Sequence, residues 1–303
     1  MTNRIQTNDR SDEFRRETLR DLLAERRYVR GIEAHNPLAA LIAERVVAAR
    51  NGRPARFDFL WSGSLTDSLS RGKPDTEYVA SGDRMGGLGD IRAVSGKPII
   101  YDADTGGLTE HFALDVPRLE LCGVSAVIIE DKTGAKRNSL YGNEVEQHQE
   151  DPAAFAEKIA VGKAAQRGSD FMVIARIESL ILDHGVDDAI ARARIYLDAG
   201  ADGIMIHSAA RDPAPVFDFC ARYRADGHRA PLVAVPSAYS QVTESELADA
   251  GFRIVIYANQ LLRAAYQAMR STAESILRHG RALEADGQCL PIGEVIRLIE
   301  GGY

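Results

Sequence analysis

The chain has 303 residues, of which 45% are hydrophobic and 27% are charged, a composition typical of a globular protein that buries a large core. Its formal net charge of -7 disfavours nucleic-acid binding, which needs clustered excess Lys and Arg, but is compatible with a small anionic substrate. Cys122, Cys220 and Cys289 are far apart and form no CxxC or Cys/His pattern, which disfavours a disulfide framework and a structural zinc site.

Residues 1–27 are predicted to form a helical extension before the catalytic domain. This stretch contains no apolar leader, and no segment of the chain approaches the roughly 18 apolar residues that a membrane-spanning helix needs. We therefore expect a cytoplasmic protein with no membrane segment. Residues 28–303 are long enough for one α/β barrel, and we predict a single catalytic domain with a C-terminal helical appendage.

Eight short apolar runs follow in chain order with helical stretches between them, the pattern of a parallel sheet built from βαβ units. The predicted strands are residues 28–34, 57–62, 98–102, 126–130, 172–177, 203–207, 232–236 and 253–258. The predicted helices include residues 151–167, 186–199, 243–250 and a further amphipathic helix at 261–280. Because eight parallel strands can close on themselves, we predict an α/β fold, a (β/α)8 TIM-type barrel.

Polar and ionisable side chains gather at the carboxyl ends of these predicted strands. In a parallel barrel those ends meet at one mouth, where catalytic groups come from several strands. Glu130 and Asp131 follow the apolar run AVII, which suits a strand buried on both faces and cannot itself hide charge. Arg176 lies within the fifth strand and needs an anion there, which is either Glu178 or a ligand.

Three acids at these ends, Asp102, Asp104 and Glu130, offer the hard oxygen donors that Mg²⁺ prefers. The alternative is that they cap helices or pair with lysines, since a DxD pair alone is weak evidence. His207 ends the sixth strand and becomes a ligand candidate only through its convergence with Arg176. The DTGG segment completes no nucleotide-binding motif, so nucleotide binding is not predicted.

The loop after the fourth strand carries two amines, an amide and a hydroxyl, at Lys132, Lys136, Asn138 and Ser139. This set suits an anion whose charge moves during a reaction, and a solvated acidic and basic loop is the alternative. Trp61 alone would indicate core packing, but its neighbours in WSGSL can offer backbone N–H groups to a carboxylate.

The motifs of this chain occur together, in the same order, in one known family. The matching segments are EAHNPL at 33–38, WSGSLTDS at 61–68, GKPD at 72–75, DADTGG at 102–107, EDKTGAKRNS at 130–139, ARIES at 175–179 and HS at 207–208. With them the chain resembles the phosphoenolpyruvate mutase family, part of the isocitrate lyase and phosphoenolpyruvate mutase superfamily. The resemblance covers residues 28–300, and residues 130–139 fit the pattern EDKxxxKxNS at every fixed position.

The resemblance implies an isomerase that interconverts phosphoenolpyruvate and phosphonopyruvate, the first step of phosphonate biosynthesis. It implies Mg²⁺ held by Asp102, Asp104 and Glu130, directly or through water. The implied catalytic residues are Asp75, Lys136, Asn138 and Ser139. The implied substrate-binding residues are Trp61, Gly63, Ser64, Leu65, Arg176 and His207. Some relatives read WGSGL, so that Ser62 and Ser64 stand where those relatives have glycines.

Three alternatives share the implied site. A phosphonopyruvate hydrolase would let water complete the reaction, but hydrolases depart from the Asn that this chain has at position 138. A C–C lyase acting on 2-methylisocitrate, isocitrate or dimethylmalate would carry a KKCGH loop with a catalytic cysteine, where this chain reads DKTGAK. A barrel that only binds a metabolite is disfavoured by the intact metal and phosphoryl residues. The family also implies a homo-oligomer, a dimer or tetramer, that exchanges a C-terminal helix between barrels.

Overall fold

A computed structural model describes residues 18–134 and 136–299 of the chain. Most of the predicted N-terminal extension, residues 1–17, lies outside the described residues, and helix α1 spans Leu19–Glu25. The chain divides into two compact units, one that ends at Asn259 and one that begins at Gln260. The single domain at residues 28–303 stays a prediction.

Eight parallel strands of the first unit close into a barrel, which confirms the predicted fold class. The strands within the described residues are β1 (Val29–Glu33), β2 (Ala48–Arg50), β3 (Arg53–Ala55), β4 (Phe59–Ser62), β5 (Ile99–Asp102), β6 (Ala126–Glu130), β7 (Lys132–Thr133), β8 (His148–Gln149), β9 (Met172–Ile177), β10 (Gly203–Ile206), β11 (Leu232–Ala234) and β12 (Phe252–Tyr257). The order around the barrel is β1, β4, β5, β6, β9, β10, β11, β12 and back to β1. These are the eight predicted strands, each with ends within about two residues of the prediction.

Helices connect the barrel strands in the predicted alternation. After α1 they are α2 (Pro37–Arg45), α3 (Ser64–Ser70), α4 (Ser81–Gly86), α5 (Leu88–Val94), α6 (Thr109–Leu121), a 3-10 helix (Ser139–Glu144), α7 (Pro152–Ala165), α8 (Gly185–Asp198), α9 (Ala214–Ala225) and α10 (Glu244–Ala250). The Asp151 side chain caps α7 by accepting from the N–H groups of Ala153 and Ala154, and Pro152 occupies the first turn. The local sequence thus starts this helix as predicted.

The second unit contains the predicted C-terminal helical segment. Its helices are α11 (Gln260–His279), α12 (Leu283–Asp286) and α13 (Ile292–Ile296). No residue of α11 is buried, although apolar side chains such as Tyr266, Met269 and Leu277 recur along it. Exchange of this helix between subunits stays a prediction. Within residues 18–134 and 136–299, no helix is both long and apolar enough to span a bilayer.

Two antiparallel pairs lie outside the predicted elements. Strands β2 and β3 form a hairpin whose turn residues, Asn51 and Gly52, both have positive φ, the conformation that an Asn-Gly turn favours. Strands β7 and β8 pair at the base of the loop that follows β6. This second pair brings the two ends of that loop together beside the carboxyl ends of the barrel strands.

Candidate active site

Strand geometry aims the site residues into the barrel mouth. Successive side chains of a strand alternate between its two faces, so a residue two places after an interior side chain points the same way. On β6, Ala126 and Ile128 belong to the interior cluster, and Glu130 continues their row at the carboxyl end. On β9, Ile174 belongs to that cluster and Arg176 follows in the same way. Asp102 after Ile100 and His207 after Met205 have the same parity.

A cavity opens at this mouth and brings most of the predicted site residues together. Its lining includes Trp61, Gly63, Ser64, Leu65, Asp75, Asp102, Lys136, Asn138, Ser139, Arg176 and His207. The two remaining predicted residues, Asp104 and Glu130, contact this lining: Asp104 pairs with Lys136, and Glu130 Oε2 lies 3.1 Å from Arg176 Nη2. Leu140, Met205, Val235, Ser237, Ala258 and Asn259 complete the wall.

Arg176 is the centre of the positive side of the cavity. Its Nε donates to Glu178, and its Nη2 donates to Ser139 Oγ at 2.8 Å and lies 2.9 Å from His207 Nδ1. Burial by itself would lower the pKa of Arg176, but Glu178 and Glu130 raise it above its ordinary value. The guanidinium is therefore a permanent cation that is fixed in orientation. Glu178, which the sequence offers as an alternative partner of Arg176, takes that structural role.

The setting of His207 favours its neutral form. Burial, followed by the neighbouring Arg176, lowers the pKa of the imidazole below its ordinary value. Burial would raise the pKa of Glu178, but Arg176 holds it well below its usual range. Arg176 and Glu178 thus form a charged pair beside an imidazole that favours its neutral form, and an anionic ligand on this side of the cavity would meet the Arg176 cation together with hydrogen-bonding groups.

The loop after β6 lies over the mouth, and two of its side chains donate hydrogen bonds to Asp75. Lys136 Nζ donates to Asp75 Oδ1 at 2.9 Å and also contacts Asp104 and Ser64. Asn138 Nδ2 donates to Asp75 Oδ2 at 2.6 Å. The same Asn138 side chain accepts from the N–H of Leu140 at 3.0 Å and so caps the 3-10 helix. Because capping occupies the amide oxygen, the amide nitrogen is directed to Asp75.

Lys132 anchors both ends of this loop. Its buried Nζ donates to the Arg137 carbonyl at 2.8 Å, to Ser139 Oγ at 2.7 Å and to Gln147 Oε1 at 2.9 Å. Ser139 Oγ in turn donates to Glu178 Oε2 at 2.6 Å. The loop that carries Lys136 and Asn138 is therefore tied to the strand that carries Arg176.

The three acids Asp102, Asp104 and Glu130 have different hydrogen-bond and ion-pair partners. Asp102 Oδ2 accepts from Ser64 Oγ at 3.1 Å, and its Oδ1 accepts from the Asp104 N–H at 3.1 Å. Asp104 pairs with Lys136 on one oxygen and with Arg84 on the other, at 3.2 Å. Burial raises the pKa of Glu130 to about 7, since its ion-pair contacts with Arg176 and Lys132 only partly offset the desolvation.

Glu130 is the acid of this set whose surroundings best fit a divalent cation. The side-chain oxygens of Glu130 are buried and accept no hydrogen bond from the described residues, although Lys132 Nζ lies 3.2 Å from Oε1. A buried carboxylate whose oxygens accept no hydrogen bond is suited to a hard cation or its water ligands. Between residues 18 and 299, Ala135 excepted, no three His, Cys, Asp or Glu side chains are already gathered as a metal cluster.

The backbone of the segment from Trp61 to Leu65 packs closely against the Trp61 side chain at Gly63. A Cβ on Gly63 would lie 2.5 Å from the Trp61 indole nitrogen, so a side chain at position 63 would displace the tryptophan. The N–H of Ser64 is already used, because it donates to Asp102 Oδ2 at 3.3 Å. This leaves the backbone of Gly63 and Leu65 as the better candidates for binding a carboxylate.

Strand parity separates the two paired acids of the sequence. Glu130 faces the mouth, whereas Asp131 points the other way and accepts from Tyr196 Oη at 2.7 Å and from Gln149 Nε2 at 2.8 Å. Burial raises the pKa of Asp131 to about 6. It also accepts from the N–H of Glu178 at 2.9 Å, which fixes the end of β9. Asp131 is thus part of the framework behind the site.

Comparisons with known proteins agree with this geometry. A family model described as phosphoenolpyruvate phosphomutase matches residues 19–277. A phosphonopyruvate hydrolase of Variovorax sp. (strain Pal2) is 35% identical over 286 residues, which are 93% of this chain and 93% of that protein. A phosphoenolpyruvate phosphomutase of Streptomyces hygroscopicus is 32% identical over 260 residues, which are 84% of this chain and 80% of that protein.

Solved structures show the same two activities among similar proteins. The crystal structure of a phosphoenolpyruvate phosphomutase from Streptomyces platensis subsp. rosaceus superposes with a TM-score of 0.84 at 38% identity, covering 92% of this chain and 93% of that one. A phosphonopyruvate hydrolase in complex with oxalate and Mg²⁺ gives 0.81 at 34% identity, with coverages of 92% and 93%. Overall similarity therefore does not separate transfer of the phosphoryl group from its hydrolysis.

Proposed function

The chain belongs to the phosphoenolpyruvate phosphomutase family of enzymes, and we propose that it interconverts phosphoenolpyruvate and phosphonopyruvate in a Mg²⁺-dependent reaction. The observation that carries this proposal is that Lys136 and Asn138 both donate hydrogen bonds to Asp75, at a mouth that Arg176 also lines. A carboxylate fixed by an amide and an ammonium faces a cavity with a permanent cation. This arrangement suits a phosphoryl group that must be held between two positions.

The proposed reaction is an intramolecular phosphoryl transfer. The bond between phosphorus and the enol oxygen on C2 of phosphoenolpyruvate breaks, and a bond between phosphorus and C3 forms, so no atom is gained or lost. Phosphoryl transfers tend to have loose, metaphosphate-like transition states, in which positioning and charge stabilisation supply most of the catalysis. The side chains of this site are fixed by multiple hydrogen bonds, as such positioning requires.

The proposed roles divide along the cavity. Arg176 and His207 hold the phosphoryl oxygens, and Asp75 meets the migrating group while Lys136 and Asn138 fix its carboxylate. Ser139 joins the loop to Arg176 through its hydroxyl. At the other end, the backbone near Gly63 and Leu65 binds the substrate carboxylate beside Trp61. Each of these groups lines the cavity at the mouth.

Asp102, Asp104 and Glu130 are the residues that would hold Mg²⁺, directly or through water. The metal would supply electrostatic stabilisation of the negative charge on the carboxylate and C2 oxygen of the three-carbon unit. The Glu130 oxygens accept no hydrogen bond from the described residues and so can bind the metal or its water ligands. Asp102 is held in its ionised form: burial would raise the pKa of Asp102, but the charges of Lys136, Arg176 and Arg84 lower it.

Hydrolysis is the nearest competing activity. A metaphosphate-like group transfers to water unless water is excluded, so the cover formed by Lys136, Asn138 and Leu140 decides the product. The Asn138 amide cannot take a proton from water at neutral pH, and it is already committed to Asp75 and to the 3-10 helix. A C–C lyase is disfavoured because the cysteines, Cys122, Cys220 and Cys289, lie outside the loop.

Replacing Asn138 tests the proposal through the identity of the products. Wild-type protein given phosphonopyruvate and Mg²⁺ should form phosphoenolpyruvate with no pyruvate detectable by lactate dehydrogenase. Asn138→Ala should lower turnover by about 10²-fold, because one fixed donor to Asp75 is lost, and should release a measurable share of pyruvate.

Glu144→Ala is the control, since it removes an exposed polar side chain from the 3-10 helix that Asn138 caps, at a position with no proposed role. It should keep turnover within about twofold of wild type. Wild-type protein that yields pyruvate and orthophosphate in equal amounts from the start would show a hydrolase. Unchanged turnover in Asn138→Ala would show that the proposed role of the loop is wrong.

A further inference from the structure

Arg84 is a buried cation behind the acids of the mouth. It lies on the short helix α4, and only 4% of its side chain is exposed. It is not among the residues that line the mouth cavity described above. No motif of the sequence identifies it, and the proposed reaction assigns it no role. A buried guanidinium is costly unless it is fully paired, so its partners show what it does.

Those partners are the carboxyl ends of two neighbouring barrel strands. Arg84 Nη1 donates to the Asp102 carbonyl at 2.6 Å and to Asp104 Oδ2 at 3.2 Å. Its Nη2 donates to the Ser62 carbonyl at 3.4 Å, and the guanidinium carbon lies 4.5 Å from the centre of the Tyr101 ring. Arg84 therefore joins β4 to β5 at the point where the acids leave the sheet.

Asp67 holds Arg84 from the opposite side. Asp67 Oδ2 accepts from Arg84 Nε at 3.2 Å, while its Oδ1 accepts from Arg71 Nε at 2.9 Å. The cation is thus shared between Asp67 on α3 and Asp104 at the mouth. Removing Asp67 would leave Asp104 as the remaining carboxylate partner of Arg84.

Asp104 is oriented by what binds each of its oxygens. Arg84 takes Oδ2, and Oδ1 faces Lys136 of the loop. Its backbone has φ of 57°, a left-handed conformation that Asp tolerates better than most residues. With Oδ2 held by Arg84, Oδ1 is the oxygen on the side of Lys136, and a divalent cation that binds there would take the place of the Lys136 ammonium.

We propose that Arg84 is a positioning residue for the metal site. Arg84 binds one oxygen of Asp104 and is itself restrained by Asp67. The pair sets the direction of the Asp104 carboxylate and the strength with which it attracts a divalent cation. This inference rests on the Mg²⁺ site of the proposed function. It assigns opposite effects to two neighbouring residues, which a purely structural role would not produce.

Cation binding without substrate tests the inference. Mn²⁺ is the probe, because free Mn²⁺ is counted by its electron paramagnetic resonance signal, and Mg²⁺ is added as competitor. Arg84→Met should tighten Mn²⁺ binding by at least about fivefold, since a competing cation leaves Asp104. Asp67→Asn should weaken it by at least about fivefold, since Asp104 is then the one carboxylate of the described residues that pairs with Arg84.

Arg71→Met is the control for long-range charge. It removes a cation that pairs with Asp67 but makes no contact with Asp104, and its Mn²⁺ affinity should stay within about twofold of wild type. Arg84→Lys replaces Arg84→Met if the latter does not fold: the shorter side chain keeps the charge but should release Asp104, with a tightening of at least about twofold.

The outcomes separate this inference from the proposed function. A wild-type protein that binds no Mn²⁺ displaceable by Mg²⁺ would overturn the metal site and the inference together. A wild-type protein that binds Mn²⁺, with Arg84→Met and Asp67→Asn shifted in the same direction, would overturn the inference alone. Equal changes of Mn²⁺ affinity in Arg71→Met and Arg84→Met would also overturn the inference alone. An unchanged Mn²⁺ affinity in both Arg84→Met and Asp67→Asn would do the same.

Discussion

Replacing Arg176 with methionine should lower kcat/KM for phosphonopyruvate by about 10³-fold, because the fixed cation that is proposed to hold the phosphoryl oxygens is lost. The same change leaves Glu178 and Glu130 buried without their shared partner, which should cost about 3–5 kcal/mol of folding free energy. Steady-state kinetics and thermal unfolding measure the two effects separately.

Arg176→Lys separates charge from geometry. Lysine keeps the positive charge but cannot contact Glu178, Ser139 and His207 at once with a planar fork, so kcat/KM should still fall by about 10²-fold. The loss in stability should be smaller than for methionine. Wild-type kinetics in a folded Arg176→Lys protein would show that this guanidinium does not bind the phosphoryl group.

Asp75→Asn should reduce kcat by at least about 10²-fold, with a smaller effect on stability. The asparagine has the same shape but no charge, and it leaves the Lys136 ammonium with Asp104 as its remaining carboxylate partner. It also places one amide against another at Asn138, where a carboxylate oxygen accepted before. Turnover under saturating phosphonopyruvate measures the loss.

Asp83→Asn is the matched control for this substitution. Asp83 lies on α4, eight residues further along the chain, and its side chain is exposed. The control should retain kcat within about twofold. If Asp75→Asn were as active as Asp83→Asn, Asp75 would have no part in the transfer, and the grip of Lys136 and Asn138 would be structural.

The barrel and most of the mouth could be predicted from the sequence because both follow from strand periodicity. Apolar runs such as Ala126–Ile129 admit only a strand buried on both faces, and a charged residue directly after such a run must lie at its end. Eight such runs define a barrel, and a barrel brings their ends together. Strand periodicity therefore predicts that Arg176 and Glu130 lie at the same mouth.

Contacts between distant segments could not be predicted in the same way. Arg84 and Asp67 lie on separate short helices, and their pairing depends on how α3 and α4 pack over the strand ends. Alternation along a strand explains why Glu130 and Asp131 point in opposite directions. In the sequence they are simply two adjacent acids, and nothing there shows which of them faces the mouth. The Asn51-Gly52 hairpin had a turn signal in the sequence, and its short strands lie outside the barrel.

The most direct test of the central claim is ³¹P NMR of the wild-type protein with phosphonopyruvate and Mg²⁺. We predict that the phosphonate resonance converts to that of phosphoenolpyruvate, with the equilibrium in favour of the phosphate ester and no orthophosphate. Phosphoenolpyruvate supplied alone should reach the same equilibrium from the other side. Orthophosphate as the main phosphorus product, accompanied by pyruvate, would contradict the account and show a phosphonopyruvate hydrolase.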